Sequence, residues 1–328
     1  MTKLIANIFL TSLPMLLLLA YYVLDDPFEV IYHYDKHGKN PNIVLDRDFI
    51  SIDLLKNKAK FAKYDSFVLG NSRSLAFTCA DWINYINTDG CFHLDASNES
   101  LFGINKKIEY LEKNNFKIRN ALIILDISTL VQIDNDIERI FIKHPDTTKE
   151  SMIDFQIINL KAFFEPVFLV GYLDYKMTGT IRPRFKSRFQ EYRFIHNPSS
   201  NDLLFEREKD IMAGTYYNNM KHIFYKRAAE TKYSEPTIKI AQKQMLKRIK
   251  YILDAQHTSY KIIISPLYDQ LKISKDDLYE LESVFGKKDV FDYSGINKYT
   301  ADFLNYYETS HYRRHVGKMI LGEVYSLN

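Results

Sequence analysis

The sequence predicts an α/β protein: a three-layer, doubly wound parallel sheet that carries a helical insertion and follows an N-terminal transmembrane helix. Three observations predict this. Short apolar runs closed by turn residues alternate with helical patterns, which is how βαβ units and a parallel sheet are written. The alternation lapses between 130 and 235, where strand signals are few and basic, aromatic-rich stretches such as RPRFKSRFQEYRF appear. Finally, Leu4–Leu24 runs for 21 residues without a charge, long enough to cross a bilayer core.

Taken in order, the first element is that apolar run. Lys3 precedes it and Asp25 and Asp26 follow, so the positive-inside tendency leaves the amino terminus in the cytoplasm and exports the rest. A cleaved signal peptide is the competing reading. It requires a small-x-small cleavage site, and the run ends instead in Ala-Tyr-Tyr-Val-Leu-Asp-Asp. The expected organisation is an anchor over 1–27, an extended stalk and first helix over 28–62, and the α/β domain over 63–328. The first helix falls near Ser51–Phe61. The sheet then begins with a buried strand at Asp65–Gly70, a helix over Ser74–Ile86, a second strand at Cys91–Ala96, a helix over Leu101–Asn114 and a third strand at Asn120–Asp126. After the insertion come a long helix over Pro236–Gln256, a strand at Tyr260–Ile264, a helix over Ser274–Phe285, a strand at Val290–Tyr293 and a closing helix over Lys318–Tyr325. Within the insertion, Phe163–Leu173 is the most apolar part. It reads as core of a cap, or as a surface resting on the bilayer, and is too short to span one.

Composition narrows the chemistry. With 328 residues the chain can bury one large domain. A net charge of +3 argues against a nucleic-acid partner, and only 11 glycines argue against glycine-rich phosphate loops. Cys79 and Cys91 have neither metal-ligand spacing nor a C-x-x-C arrangement. In an exported domain they can form a disulfide, but two separate buried thiols fit the sequence as well.

Sites in open parallel sheets form beyond the carboxyl ends of the strands. The first strand ends in Gly70-Asn71-Ser72-Arg73-Ser74, the second in Asp95-Ala96-Ser97-Asn98-Glu99-Ser100, and the third at Asp126. Near the C-terminus stands Glu308-Thr309-Ser310-His311-Tyr312-Arg313. A serine, a histidine to take its proton and a carboxylate to orient that histidine are the parts of hydroxyl nucleophile chemistry. The plainer reading makes Gly70-Asn71-Ser72 a strand-to-helix turn with Ser72 as an N-cap. Arg73 then pairs with Asp126, which is a structural carboxylate at the strand end.

These residues resemble the SGNH (GDSL-like) hydrolase and acyltransferase superfamily, which has a flavodoxin-like sheet. Gly70-Asn71-Ser72 is similar to its first block, HLDASNES to its second and Glu308-x-x-His311 to its last. The Gly-x-Ser-Arg block, the N-terminal apolar run and the ending YYETSHYRRHVG are similar to those of membrane-anchored bacterial proteins of polysaccharide O-acetylation and teichoic acid D-alanine transfer. The resemblance covers 65–130 and 258–325. It implies Ser72 as nucleophile, His311 as base and Glu308 as its orienting carboxylate. It implies a pocket and oxyanion region formed by Asn71, Arg73, Ser97, Asn98, Asp126 and Arg313. The implied activity is a serine acyltransferase or esterase acting on acyl groups, acetyl above all, of cell-surface polysaccharide or glycolipid. It would work on the periplasmic side of the inner membrane, beside a membrane-bound O-acyltransferase, with no metal or cofactor. The alternative is a non-catalytic glycan-binding or adaptor subunit of such a system. Three positions depart from the pattern: Glu308 replaces the usual Asp, Asn98 stands where Gly is common, and Asp126 stands where an Asn normally donates to the oxyanion. An ionised carboxylate cannot donate.

Overall fold

The computed structural model describes residues 2–190, 193–227 and 229–326, with the backbone alone for residues 2, 5, 6, 8 and 9. Helix α1 (Thr2–Asp25) leads into α2 (Arg47–Lys58) and β1 (Ser66–Gly70). Then come β2 (Cys91–His93), α3 (Leu101–Lys113) and β3 (Asn120–Leu125). The insertion contributes α4 (Met152–Phe163), α5 (Pro166–Thr178) and the antiparallel strands β4 (Phe194–Asn197) and β5 (Asp202–Phe205). The sheet resumes through α6 (Ile240–Ala255), β6 (Ser259–Ile264), α7 (Lys275–Phe285) and β7 (Val290–Asp292). A small hairpin of β8 (Tyr306–Glu308) and β9 (His311–Tyr312) precedes α8 (Arg314–Ser326).

The central sheet has the order β2-β1-β3-β6-β7 and is parallel throughout. Its strands are continuous apolar runs because both faces are covered. Phe67, Leu69, Ala121, Ile123, Leu125, Ile262 and Ile264 enter one core, with residues of α2, α3, α6 and α7. Val68, Leu122, Ile124 and Ile263 enter the other, with Trp82 and the α8 residues Val316, Ile320, Leu321 and Val324. The period-2 alternation of the strands thus sorts neighbouring residues into two layers. The direction of the chain reverses between β1 and β3, the place where a doubly wound sheet opens a crevice at its carboxyl edge.

Four expectations need correction. The helix expected over Ser74–Ile86 is split into a 3₁₀ turn, Ser72–Ala76, and a short helix, Cys79–Trp82. Thr78 starts the second piece by accepting from the Asp81 N–H, and Cys79 is fixed by a disulfide to Cys91, with Cα atoms 5.6 Å apart. The closing helix begins at Arg314, one turn earlier than expected. The insertion is not purely helical, since it holds the β4–β5 hairpin. The segment after α1 is no extended stalk. The Asp26 carboxylate accepts from the N–H groups of Val30, Ile31 and Tyr32, which folds the chain back. Phe28, Val30 and Ile43 are then buried in a third core with Phe163, Phe168 and Tyr172 of the insertion, while α2 lies in the main core.

Helix α1 packs on the insertion at its end, where Tyr22 meets Phe163 with ring centroids 5.0 Å apart. Leu10, Leu17 and Leu24 are exposed. Ile5, Ala6, Ile8 and Phe9 of the expected span lie outside the described side chains. Among the described residues, no helix is long and apolar enough to cross a membrane.

Candidate active site

The turn after β1 is set by Gly70. Its φ is +152°, and a Cβ there would lie 2.7 Å from the Ile124 carbonyl oxygen of the paired strand. Only glycine lets the chain turn this close to β3. Asn71 is the cap of the following 3₁₀ turn: its side-chain oxygen accepts from the Arg73 N–H at 3.0 Å. Ser72 is therefore the first residue of the turn rather than its N-cap, and its hydroxyl is left for another partner.

That partner is His311. Its Nε2 lies 2.7 Å from Ser72 Oγ across 239 residues of sequence. The ring is held by Glu308, its partner across the β8–β9 hairpin, through a hydrogen bond to Nδ1. The second oxygen of Glu308 accepts from the Ser310 N–H at 2.7 Å. Burial pushes the Glu308 carboxyl up, but the hydrogen bond and charge of His311 and the Ser310 N–H outweigh it and hold the group below the usual carboxylate range. An ionised carboxylate only accepts, so Nδ1 carries a proton. In a neutral ring, Nε2 is then the acceptor for the Ser72 hydroxyl.

Arg73 and Asp126 brace this arrangement. Arg73 Nη1 is 2.7 Å from Asp126 Oδ2, and Arg73 Nε donates to the Ser310 carbonyl at 3.1 Å. One side chain thus joins the serine turn, the end of β3 and the histidine loop. Asp126 also accepts from the Thr129 N–H and the Ser128 hydroxyl, capping the helix Ile127–Val131. Burial pushes its carboxyl up, but the Arg73 guanidinium, the Ser128 hydroxyl and the Asn71 amide together hold it below its ordinary value.

The remaining expected pocket residues lie elsewhere. The Asn71 amide donates to Asp126 at 2.7 Å and to Thr129 Oγ1 at 3.3 Å, so both its hydrogens are committed away from an oxyanion. Asn98 is exposed at a φ of +48°, and Ser97 is half-buried. Their loop is fixed at its ends by an Arg47–Asp95 pair at 2.8 Å and a buried Lys107–Glu99 pair. Among the described residues, no hydrogen bond joins Ser97 or Asn98 to the Ser72 cluster. Arg313 turns to the insertion and grips Glu208 with Nε at 3.0 Å and Nη2 at 2.8 Å.

Sequence reasoning missed three residues behind the serine. Ser74, His93 and Asp202 form a buried chain: Ser74 Oγ is 2.9 Å from His93 Nε2, and His93 Nδ1 is 3.1 Å from Asp202 Oδ1. The Ser74 hydroxyl also donates to the Asn71 carbonyl at 2.7 Å, so this second chain steadies the backbone of the serine turn. Asp202 comes from β5 and accepts from the Cys79 N–H at 3.0 Å. Phe205, three residues further along β5, lies against the His311 ring with centroids 5.4 Å apart. The insertion thereby forms one wall of the site. Among the described residues, no group of three or more His, Cys, Asp or Glu is placed to hold a metal ion.

Neither the known family models nor the curated proteins yield a match to this chain. Its functional reading stands on the geometry above.

Proposed function

We propose that this protein is an SGNH-type serine acyltransferase or esterase, held by its N-terminal helix at the outer face of the cytoplasmic membrane and acting on acylated cell-surface glycans. The observation that carries the reading is the chain of hydrogen bonds Ser72–His311–Glu308 at the carboxyl edge of a parallel sheet. In this reading Ser72 Oγ attacks the acyl carbonyl carbon while His311 Nε2 takes its proton. The oxyanion that forms is met by the Ser72 N–H, which at the start of a helical turn has no intrahelical acceptor. Collapse breaks the ester C–O bond, and His311 returns the proton to the leaving oxygen. A glycan hydroxyl or water, deprotonated by His311, then attacks the acyl carbon; the bond to Ser72 Oγ breaks, and His311 returns the proton to that oxygen. Glu308 holds the ring and balances its charge meanwhile.

Location is inferred from two features. The uncharged run Leu4–Leu24 supplies the anchor, and the Cys79–Cys91 disulfide suits an oxidising compartment. Ile153, Val170 and Met177 of α4 and α5 are exposed, which suits a surface lying against the bilayer.

A second reading, a non-catalytic adaptor for a membrane O-acyltransferase, is favoured by one observation: the Asn71 amide and Asp126 engage each other, which removes the side-chain donor that would assist the Ser72 N–H. The test is hydrolysis of activated acyl esters by the full-length protein in detergent. Ser72→Ala and His311→Ala are expected to lower kcat by ~10³-fold or more, and Glu308→Gln by about 10²-fold or more. Variants that match the parent on every ester would leave the adaptor reading standing alone.

A further inference from the structure

Beside Ser72 lies a cavity of about 150 Å³, walled by Leu75 and Ala76 of the serine turn, Leu203 and Phe205 of β5, and Tyr307 and Tyr312 of the histidine hairpin. Most of its lining surface is apolar, and the charged residues Glu206, Glu208, Lys209 and Arg314 also line it. Leu75, Phe205 and Tyr307 form a small core of their own, separate from the two cores of the sheet, with Leu203 packed against it. An enzyme dedicated to acetyl transfer needs room for one methyl group beside the carbonyl carbon. This space is several times larger. An apolar cavity of about 150 Å³ holds a benzene molecule, which is six carbon atoms.

We infer that the site is shaped for an acyl chain of about four to six carbons rather than for acetyl, the acyl tail lying in this cavity while its carbonyl sits at Ser72 Oγ. The inference rests on the Ser72 reading above and specifies its substrate. The tail is apolar because most of the lining surface is carbon. Its length is bounded by the volume of the cavity, which side chains from three separate segments line. The insertion is the selector: β5 supplies Leu203 and Phe205, and the position of that strand is fixed by Asp202 accepting from the Cys79 N–H and His93.

The experiment is a chain-length series of p-nitrophenyl esters, from acetate through butyrate and hexanoate to decanoate, with the full-length protein in detergent. The expected result is a kcat/KM that climbs about fourfold for each methylene buried, peaks at butyrate to hexanoate and falls at decanoate. Leu203→Phe narrows the cavity and is expected to lower the hexanoate-to-acetate ratio at least tenfold. Ile195→Phe, at the more exposed rim, is a second narrowing variant that places less demand on folding, and it should move the ratio in the same direction. Turnover that depends on Ser72 but is fastest on acetate, with ratios unmoved by both variants, overturns the inference and leaves the serine reading intact. Turnover unchanged by Ser72→Ala on every ester overturns both.

Discussion

At the scale of single residues, the side chains divide by what they touch. Ser72, His311 and Glu308 form one linear chain of hydrogen bonds. Among the described residues Arg73 makes no hydrogen bond to these side chains, yet it ties the two segments that carry them to each other and to the end of β3. Its loss would leave the Asp126 carboxylate buried without its cation, at a cost of about 3 kcal/mol. In the folded protein Arg73 and its neighbours hold the Asp126 carboxyl below its unfolded value of about 3.9. Its contribution to stability is therefore complete above that value and disappears as pH falls through the lowered, folded one. In Arg73→Ala the folded value rises, and the acid limb of the stability curve moves to higher pH. Urea midpoints measured across the acid range test this, and coincident curves for Arg73→Ala and the parent would refute it. The Glu-x-x-His pair and the Ser72 turn were legible in the sequence because each is a local pattern next to a recognisable strand. Ser74, His93 and Asp202 were not: His93 and Asp202 are 109 residues apart, and each taken alone is an ordinary buried polar side chain. That the Asn71 amide is already claimed by Asp126 and Thr129 was hidden for a related reason, since spacing does not say which acceptor holds an amide.

At the scale of elements, the serine turn is positioned from both sides. β3 approaches it through Gly70, and α8 approaches it through Gly317, where a Cβ would lie 2.2 Å from the Ala76 carbonyl oxygen. That obstacle is backbone and cannot rotate away. Gly317→Ala should push α8 off the turn, with a stability loss of about 1–3 kcal/mol and a fall in turnover, read from thermal melting and ester hydrolysis. An unchanged melting temperature would show that α8 has slack the structure does not display. The strands of the sheet were legible because both faces are apolar, which leaves runs such as NALIIL in the sequence. The β4–β5 hairpin was not legible. Its alternation is blurred by His196 and Asn197, and its closing residues Ser200, Asn201 and Asp202 are chosen by partners on β2 and Cys79 rather than by the turn alone. The break at Phe77 was hidden too, since Ser74–Ile86 has acceptable helical periodicity and only the disulfide and the Thr78 cap divide it.

At the scale of the whole molecule, the insertion joins the end of α1 to the Ser72 cluster. Its helices α4 and α5 bury Phe28 and Val30 and receive the end of α1, while its hairpin walls the cavity beside Ser72. The chain is expected to remain with carbonate-washed membranes, and Cys79 and Cys91 to resist alkylation in intact cells until a reductant is added. Release by carbonate, or free labelling of both thiols, would place the protein elsewhere. The division into 1–27, 28–62 and 63–328 was drawn on composition, and composition does not reveal that the middle piece is stitched into its neighbours by Asp26 and by α2. The bond between Ser72 and His311 has a consequence in time. Ser72 is made 239 residues before His311. A nascent chain that stops short of His311 therefore holds the Ser72 turn without its hydrogen-bond partner, and the cluster is assembled only once the hairpin of β8 and β9 has been made.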